Sequence, residues 1–218
     1  MTLDFSVITR AVPFLAEGLA LSFFLTAFAM AGGIAIGLLL AIIRLSAWRG
    51  LALVAAAYVN GFRAIPLVLV IFWFYFLVPL VLGHPVDALQ SSIIAFVLFE
   101  AAYYSEIIRA GLLSIRAGQW QAACASGFGY LQTLRLVILP QALRNVLPVM
   151  ISQAVILFQD TSLVYVISLR DFMTSASIVA NRDNRLVEIY LFAALVYFVI
   201  CSTGAWSATA LSRRRSLA

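Results

Sequence analysis

Long apolar runs broken by short arginine-bearing stretches organise the whole chain. A run of roughly 20 apolar residues crosses the hydrocarbon core, and on that measure five spans are expected, at about 15–43, 66–82, 91–110, 146–169 and 188–211. The first is long enough to tilt or to extend past the bilayer. Between spans one and two, 47–62 carries Arg49, Tyr58 and Asn60 among small apolar residues and reads as a helix lying on the membrane surface. Between spans three and four, 111–145 is polar and rich in arginine. There Ala122-Ala123, followed four residues later by Gly127, leave one helical face nearly bare of side chains, so another protein's backbone can approach closely. Leu139-Pro140 is expected to close this stretch, because proline cannot continue a helix that needs its N–H. Gly83-His84-Pro85 reads as a tight turn, and 170–185 as a longer loop of mixed charge, carrying Asp171 and Asp183, able to touch a soluble partner.

Composition narrows the class. With 64% hydrophobic and 11% charged residues among 218, the chain has more apolar surface than a soluble fold can hide, so it is read as one all-α transmembrane domain, 1–218. The amino terminus lacks a basic n-region and the first apolar run exceeds a signal-peptide core, so the first span is expected to stay as an anchor. All fourteen basic residues are arginine. Without lysine there is no P-loop and no Schiff base. His84 is the only histidine, and Cys124 and Cys201 are far apart, so no metal-ligand cluster or disulfide framework is expected. The net charge of +5 is spread along span edges without interleaved aromatics, which argues against a nucleic-acid partner.

Basic residues near span ends are retained on the cytoplasmic side. Arg44, Arg49, Arg63, Arg109, Arg116, Arg135, Arg144 and the Arg213-Arg214-Arg215 tail fall on one side; Arg10, Arg170, Arg182 and Arg185 fall on the other. The larger group is assigned to the cytoplasm, giving an outside amino terminus, an inside carboxyl terminus and a cytoplasmic 111–145 stretch. The triple-arginine tail reads as a topology anchor.

A few polar residues interrupt the spans. Glu100 lies near the middle of the third, where an ionised group facing lipid costs at least ~3 kcal/mol, so it must face protein or water. It is either part of a translocation pathway or gate, or a neutral or paired carboxyl that holds helices together. Gln159-Asp160-Thr161-Ser162 offers acceptors and hydroxyls within the fourth span, lining a pathway or making local hydroxyl-to-carbonyl bonds. Glu106 and Arg109, three apart on one face, form a structural pair. Gly33-x-x-x-Gly37 is read as ordinary close packing. Pro66 starts the second span and Arg63 marks its interface.

Gln121-Ala122-Ala123, Gly127 and Leu139-Pro140 together resemble the coupling loop of ABC importer permeases. Phe62-Arg63-Ala64-Ile65-Pro66, the stretch from Glu100 to Gly111 and Leu157 to Leu163 are similar to the polar amino acid branch, nearest its glutamate/aspartate members. The resemblance implies a type I importer permease fold of five transmembrane helices with a cytoplasmic helical coupling loop, in a bacterial inner membrane. It implies that Gln121, Ala122, Ala123, Gly127, Leu139 and Pro140 meet a separate ATPase, with ATP and Mg held there and no cofactor held by this chain. The implied partners are two ATP-binding subunits, a second permease subunit, an extracytoplasmic solute-binding protein, an amino acid and the lipid bilayer. Where the family has glutamate this chain has Gln121, which keeps hydrogen-bonding capacity but loses the charge. Two other classes stay open on the residues alone: an ion-gradient-driven transporter with Glu100 and Asp160 as ion sites, and a non-transporting membrane scaffold subunit.

Overall fold

The computed structural model describes residues 4–216, with side chains described as far as Ser212; the Arg213-Arg214-Arg215 anchor lies outside the described side chains. The described residues form helices joined by short turns: α1 (Ser6–Leu45), α2 (Arg49–Ala64), α3 (Leu67–Phe72), α4 (Val78–Leu82), α5 (Ala88–Leu113), α6 (Ala117–Ala125), α7 (Tyr130–Thr133), α8 (Leu139–Asp160), α9 (Phe172–Arg182) and α10 (Leu186–Ser216). Four continuous apolar helices are long enough to cross a membrane, Ser6–Leu45, Ala88–Leu113, Tyr130–Ile167 and Leu186–Ser212. A fifth is added if Arg49–Ala64 and Leu67–Leu82, which meet at 106°, are counted as one bent span.

Small residues set the packing. The buried stripe of α1 runs Val7, Ala11, Leu15, Gly18, Ser22, Leu25, Ala29, Gly33, Gly37 and Ala41, a three-and-four spacing that keeps one face on the bundle. A Cβ added to Gly33 would lie 2.9 Å from the Glu100 Cβ, and one added to Gly37 would lie 2.8 Å from the Ser105 backbone nitrogen. The Gly33-x-x-x-Gly37 pair is therefore a backbone-to-backbone contact with α5, as expected. These contacts also show that α1 and α5 run in the same direction. Gly111 meets Val146 and Gln153 meets Glu100, so α8 runs against them, and Gly204 on α10 packs on Val155 of α8. One core joins α1, α3, α5 and the end of α8 through Leu25, Val70, Ile71, Phe96 and Leu157. A second joins the start of α1 to α9 and α10 through Val7, Ala11, Phe172, Val179 and Ile189.

Three regions depart from the sequence expectation. The fourth span does not begin at 146: the helix starts at Tyr130, so the polar stretch between spans shrinks to 114–129. Pro140 does not close it. A π-turn at Leu134–Ile138, with the Leu139 N–H bonded to the Leu134 carbonyl, widens the helix just before the proline, which relieves the ring's clash with the preceding turn. The same device precedes Pro79, where a π-turn at Trp73–Leu77 joins α3 to α4. The stretch 170–185 is largely the helix α9, whose Phe172, Ala176, Val179 and Ala180 are buried, leaving exposed polar residues at Arg170 before it and from Asn181 to Asn184 at its end. Finally, α2 is docked on the bundle: Val59 is fully buried and the Tyr58 hydroxyl donates to the Leu98 carbonyl of α5 at 2.7 Å.

Candidate functional site

Gln121, Ala122 and Ala123 lie on α6, a nine-residue helix that follows α5 and packs on α7 and the π-turn after it. Gln121 and Ala122 are exposed and Ala123 is buried. The expected bare face extending to Gly127 does not form, because the helix has already ended. Ser126 is the C-cap, and Gly127 follows it in the left-handed region at φ +81°. The Phe128 N–H reaches back to the Ala123 carbonyl at 3.1 Å and the Gly127 N–H to the Cys124 carbonyl at 3.0 Å, the bond pair of a Schellman motif. A Cβ on Gly127 would meet nothing within 4 Å, so the glycine serves backbone conformation and not close approach.

Leu139 and Pro140 lie beyond the second turn, on the helix that carries the chain back into the bundle. Two side-chain bonds tie the segments: Gln141 Nε2 to Gln119 Oε1 at 3.1 Å, and Asn145 Nδ2 to Ser114 Oγ at 2.9 Å. Trp120 and Tyr130 meet edge to face at 5.1 Å. Around α6 a group of large apolar side chains is left open, with Tyr130 68%, Leu131 65% and Leu136 64% exposed.

Next to this end, Glu106 is a hub. It pairs with Arg109 one turn on, as expected, and also with Arg44 from the last turn of α1 at 2.7 Å and Arg63 from the last turn of α2 at 4.0 Å. Arginines separated in sequence but assigned to one membrane side thus meet at one end of the bundle. Arg44 was missed from sequence, since nothing local links it to a residue 62 positions away. Arg63 also sits over the Tyr103 ring, 5.6 Å from its centroid, so it does more than mark an interface.

Glu100 is completely buried, facing protein as required, and both its oxygens accept from the Gln153 amide of α8, at 3.1 and 3.2 Å. Gln153 was not singled out in the sequence; its place in an apolar span was the available signal. Half-buried Asp160, at the end of α8, lies within electrostatic reach of Glu100 and Tyr103. The structure thus brings Glu100, Tyr103, Arg63 and Asp160 into one polar band. Thr161 bonds its own helix, hydroxyl to the Phe158 carbonyl at 2.8 Å, and Gln159 is exposed on another face. Ser162 lines a separate crevice with Tyr165, Met173, Ser177 and Tyr190. Among the described residues no three His, Cys, Asp or Glu side chains are grouped to hold a metal.

The model of the family of binding-protein-dependent transport system inner membrane components matches residues 33–217. The chain belongs to that family. This permease is 47% identical over 218 residues to the glutamate/aspartate import permease protein GltK of Escherichia coli O6:H1, covering 97% of each chain. It is 34% identical to the arginine transport system permease protein ArtQ of Bacillus subtilis over 200 residues, 92% of this chain and 91% of that one. Its fold matches a crystal structure of an amino acid ABC transporter with histidines at a TM-score of 0.91 and 30% identity, over 98% of this chain and 100% of that one. The permease of the MetNI methionine ABC transporter in an inward-facing conformation shares the fold, with a TM-score of 0.67 at 20% identity, over 94% of this chain and 96% of that one. The protein is thus a multi-pass inner-membrane permease subunit of an ABC importer, with the type I fold that its resemblance implied. It is not a catalyst; ATP hydrolysis belongs to a partner chain.

Proposed function

We propose that this permease imports acidic amino acids, glutamate and aspartate, by alternating access driven by two ATP-binding subunits that hold ATP and Mg. A second permease subunit, identical or related, completes the pathway about a two-fold axis, and an extracytoplasmic binding protein delivers the cargo. The amino terminus lies outside and the carboxyl terminus in the cytoplasm. The observation that carries the reading is the position of α6: a short helix tied to α8 through Gln119 and Gln141, beside the Ser114–Asn145 bond that joins the end of α5 to α8, flanked by exposed apolar side chains, at the end of the bundle where Arg44, Arg63 and Arg109 gather. Arginine retention assigns that end to the cytoplasm, and a rigid element there passes a partner's rigid-body motion into α5 and α8. Gln121 and Ala122 offer the contact face, Ala123 and Gly127 fix the helix and its exit, and Leu139 and Pro140 shape the return.

Inside the bundle, Glu100 and Asp160 form the gate or pathway lining. The face of Arg63 turned away from Glu106 gives an acidic side chain a cation, and its 40% exposure leaves it reachable. Similarity to GltK supports the acidic substrates, and the length of the Arg63 ion pair with Glu106, 4.0 Å, supports its being free to exchange partners. The test is reconstitution with ATPase and binding protein in vesicles: labelled glutamate or aspartate accumulates only with ATP and binding protein. Accumulation driven by a proton or sodium gradient alone sinks the reading in favour of ion sites at Glu100 and Asp160. Hydrolysis without uptake sinks it in favour of a scaffold.

A further inference from the structure

At the opposite end of the bundle from α6, a cavity of about 330 Å³ opens between α1, the start of α5 and the entry to α9. Its walls include Phe14, Glu17, Leu21, Ser168, Arg170 and Ser175. That volume lies within the ~300–1,000 Å³ range of small-molecule sites. Two features set it apart from a packing gap. The first is that its walls are held by backbone. Gly18 packs without a side chain against the Asp171 carbonyl, to which a Cβ there would come within 2.6 Å, and the Phe172 N–H donates to Ser22 Oγ at 3.1 Å one turn further along α1. Because Glu17 precedes Gly18 and Arg170 precedes Asp171, this clamp sets the backbone of both residues, one on α1 and one at the entry to α9, where they line one crevice.

The second is charge. The other acidic and arginine side chains described at this end are engaged. Asp4 accepts from Ser6, Arg10 bonds Ser6, and Asp87 caps α5 through the Leu89 N–H. Asp171 is turned inward, capping α9 through the Met173 and Thr174 N–H groups and the Thr174 hydroxyl. Arg182 pairs with Asp183 and Arg185 with Glu188. Glu17 and Arg170 are both exposed and make no hydrogen bond or ion pair with each other or with any described residue. An ammonium acceptor and a carboxylate donor therefore face one rigid, water-reachable crevice without satisfying one another.

We propose that this crevice is an entry site for an α-amino acid, with its ammonium on Glu17 and its α-carboxylate on Arg170, loaded before the cargo reaches the polar band at Glu100 and Asp160. Ser168 and Ser175 add hydroxyls, and the side chain of the cargo points towards Phe14 and Leu21. The site thus reads the part common to all amino acids and leaves side-chain selection to other contacts. It rests on the reading that amino acids are the cargo and that this end faces outward.

The test uses the permease–ATPase complex in nanodiscs, carrying Phe14→Cys in a Cys124→Ser background, with maleimide labelling as the readout. Glutamate and glutamine slow labelling; glutarate, which lacks the ammonium, does not. Glu17→Gln and Arg170→Gln each raise the half-protecting glutamate concentration about tenfold, as loss of one charge-assisted contact requires. Absence of protection, equal protection by glutarate, or protection that survives both substitutions overturns the proposal. So does a pair of variants that shift only the binding-protein concentration needed for half-maximal uptake, since that marks a docking role. Should glutamine protect while glutamate is neither protective nor transported, the acidic-cargo assignment falls and the entry site stands.

Discussion

Glu100 and Glu106 stand on the same helix, yet their surroundings have little in common. Six residues is not a whole number of 3.6-residue turns, so they look out in different directions. Glu106 faces three arginines from α1, α2 and its own helix and binds that end of the bundle together. Glu100 faces a neutral amide from α8 and has no ion pair among the described residues; the charged group that acts on it is another carboxylate, Asp160. One carboxyl fixes three helix ends in place. The other is held by two bonds from one neutral amide, of which a glutamine in its place could keep one, beside the end of α8. In an importer that must keep one end coherent while its middle opens and closes, this difference fits a rivet at Glu106 and, on the function proposed above, a gate at Glu100.

The largest effect tests the rivet. Glu106→Ala leaves Arg44, whose side chain is only 12% exposed, without its carboxylate. An abandoned buried cation costs 3–5 kcal/mol, and partial exposure reduces that here to about 2–3 kcal/mol. Thermal unfolding of the solubilised permease is expected to shift down accordingly, and less complex is recovered. Arg63→Gln is the control: a 4.0 Å ion pair and a ring contact, both at a 40% exposed side chain, together contribute about 1 kcal/mol, so stability falls much less while uptake changes. Equal destabilisation by both variants breaks the distinction between a fixed and an exchangeable arginine.

A smaller effect asks whether rigidity extends into α6. Gly127→Ala forces a side chain into the left-handed region at a cost of about 1–2 kcal/mol to the Schellman cap, with no clash to confuse the result. Gly118→Ala, inside α6 with open space around it, improves helix propensity instead. Uptake per ATP hydrolysed falls for the first and holds for the second. If both behave alike, the cap is irrelevant to coupling.

These glycines also show what the sequence could carry. Apolar length fell within a few residues of the observed helices α5 and α10, because an apolar run long enough to cross a bilayer is satisfied by one unbroken helix. Gly127 was misread because an interval of four from Ala123 fits a helical face as well as it fits a helix with its cap, and only the backbone angle separates them. Pro140 was misread as a stop because the compensating π-turn needs no special residue in Leu134–Ile138. Glu106–Arg109 was legible through its local spacing, whereas Arg44, Arg63 and Gln153 come from distant segments whose meeting depends on the full packing. The crevice holding Glu17 and Arg170 belongs to the same class: its walls are 153 positions apart, and the packing of α1 on α9, with Gly18 against Asp171 and Ser22 against Phe172, brings them together.

The smallest stability effect is the sharpest test of the gate. Glu100→Gln keeps the shape and retains an acceptor for the Gln153 amide, so stability is expected to stay within about 0.5 kcal/mol of the parent, in contrast to Glu106→Ala. On the proposed gate, uptake should nevertheless change, because the substitution removes a carboxyl on which the charge of Asp160 acts. Asp160→Asn removes that charge, and the pair supplies a double-mutant cycle: if the two act on one step through this interaction, the combined variant departs from the product of the single effects on kcat/KM. Additive effects separate the two residues into independent sites. Unchanged transport in either single variant removes that residue from the gate, and leaves Glu100 as a carboxyl whose only work is to hold α8 against α5.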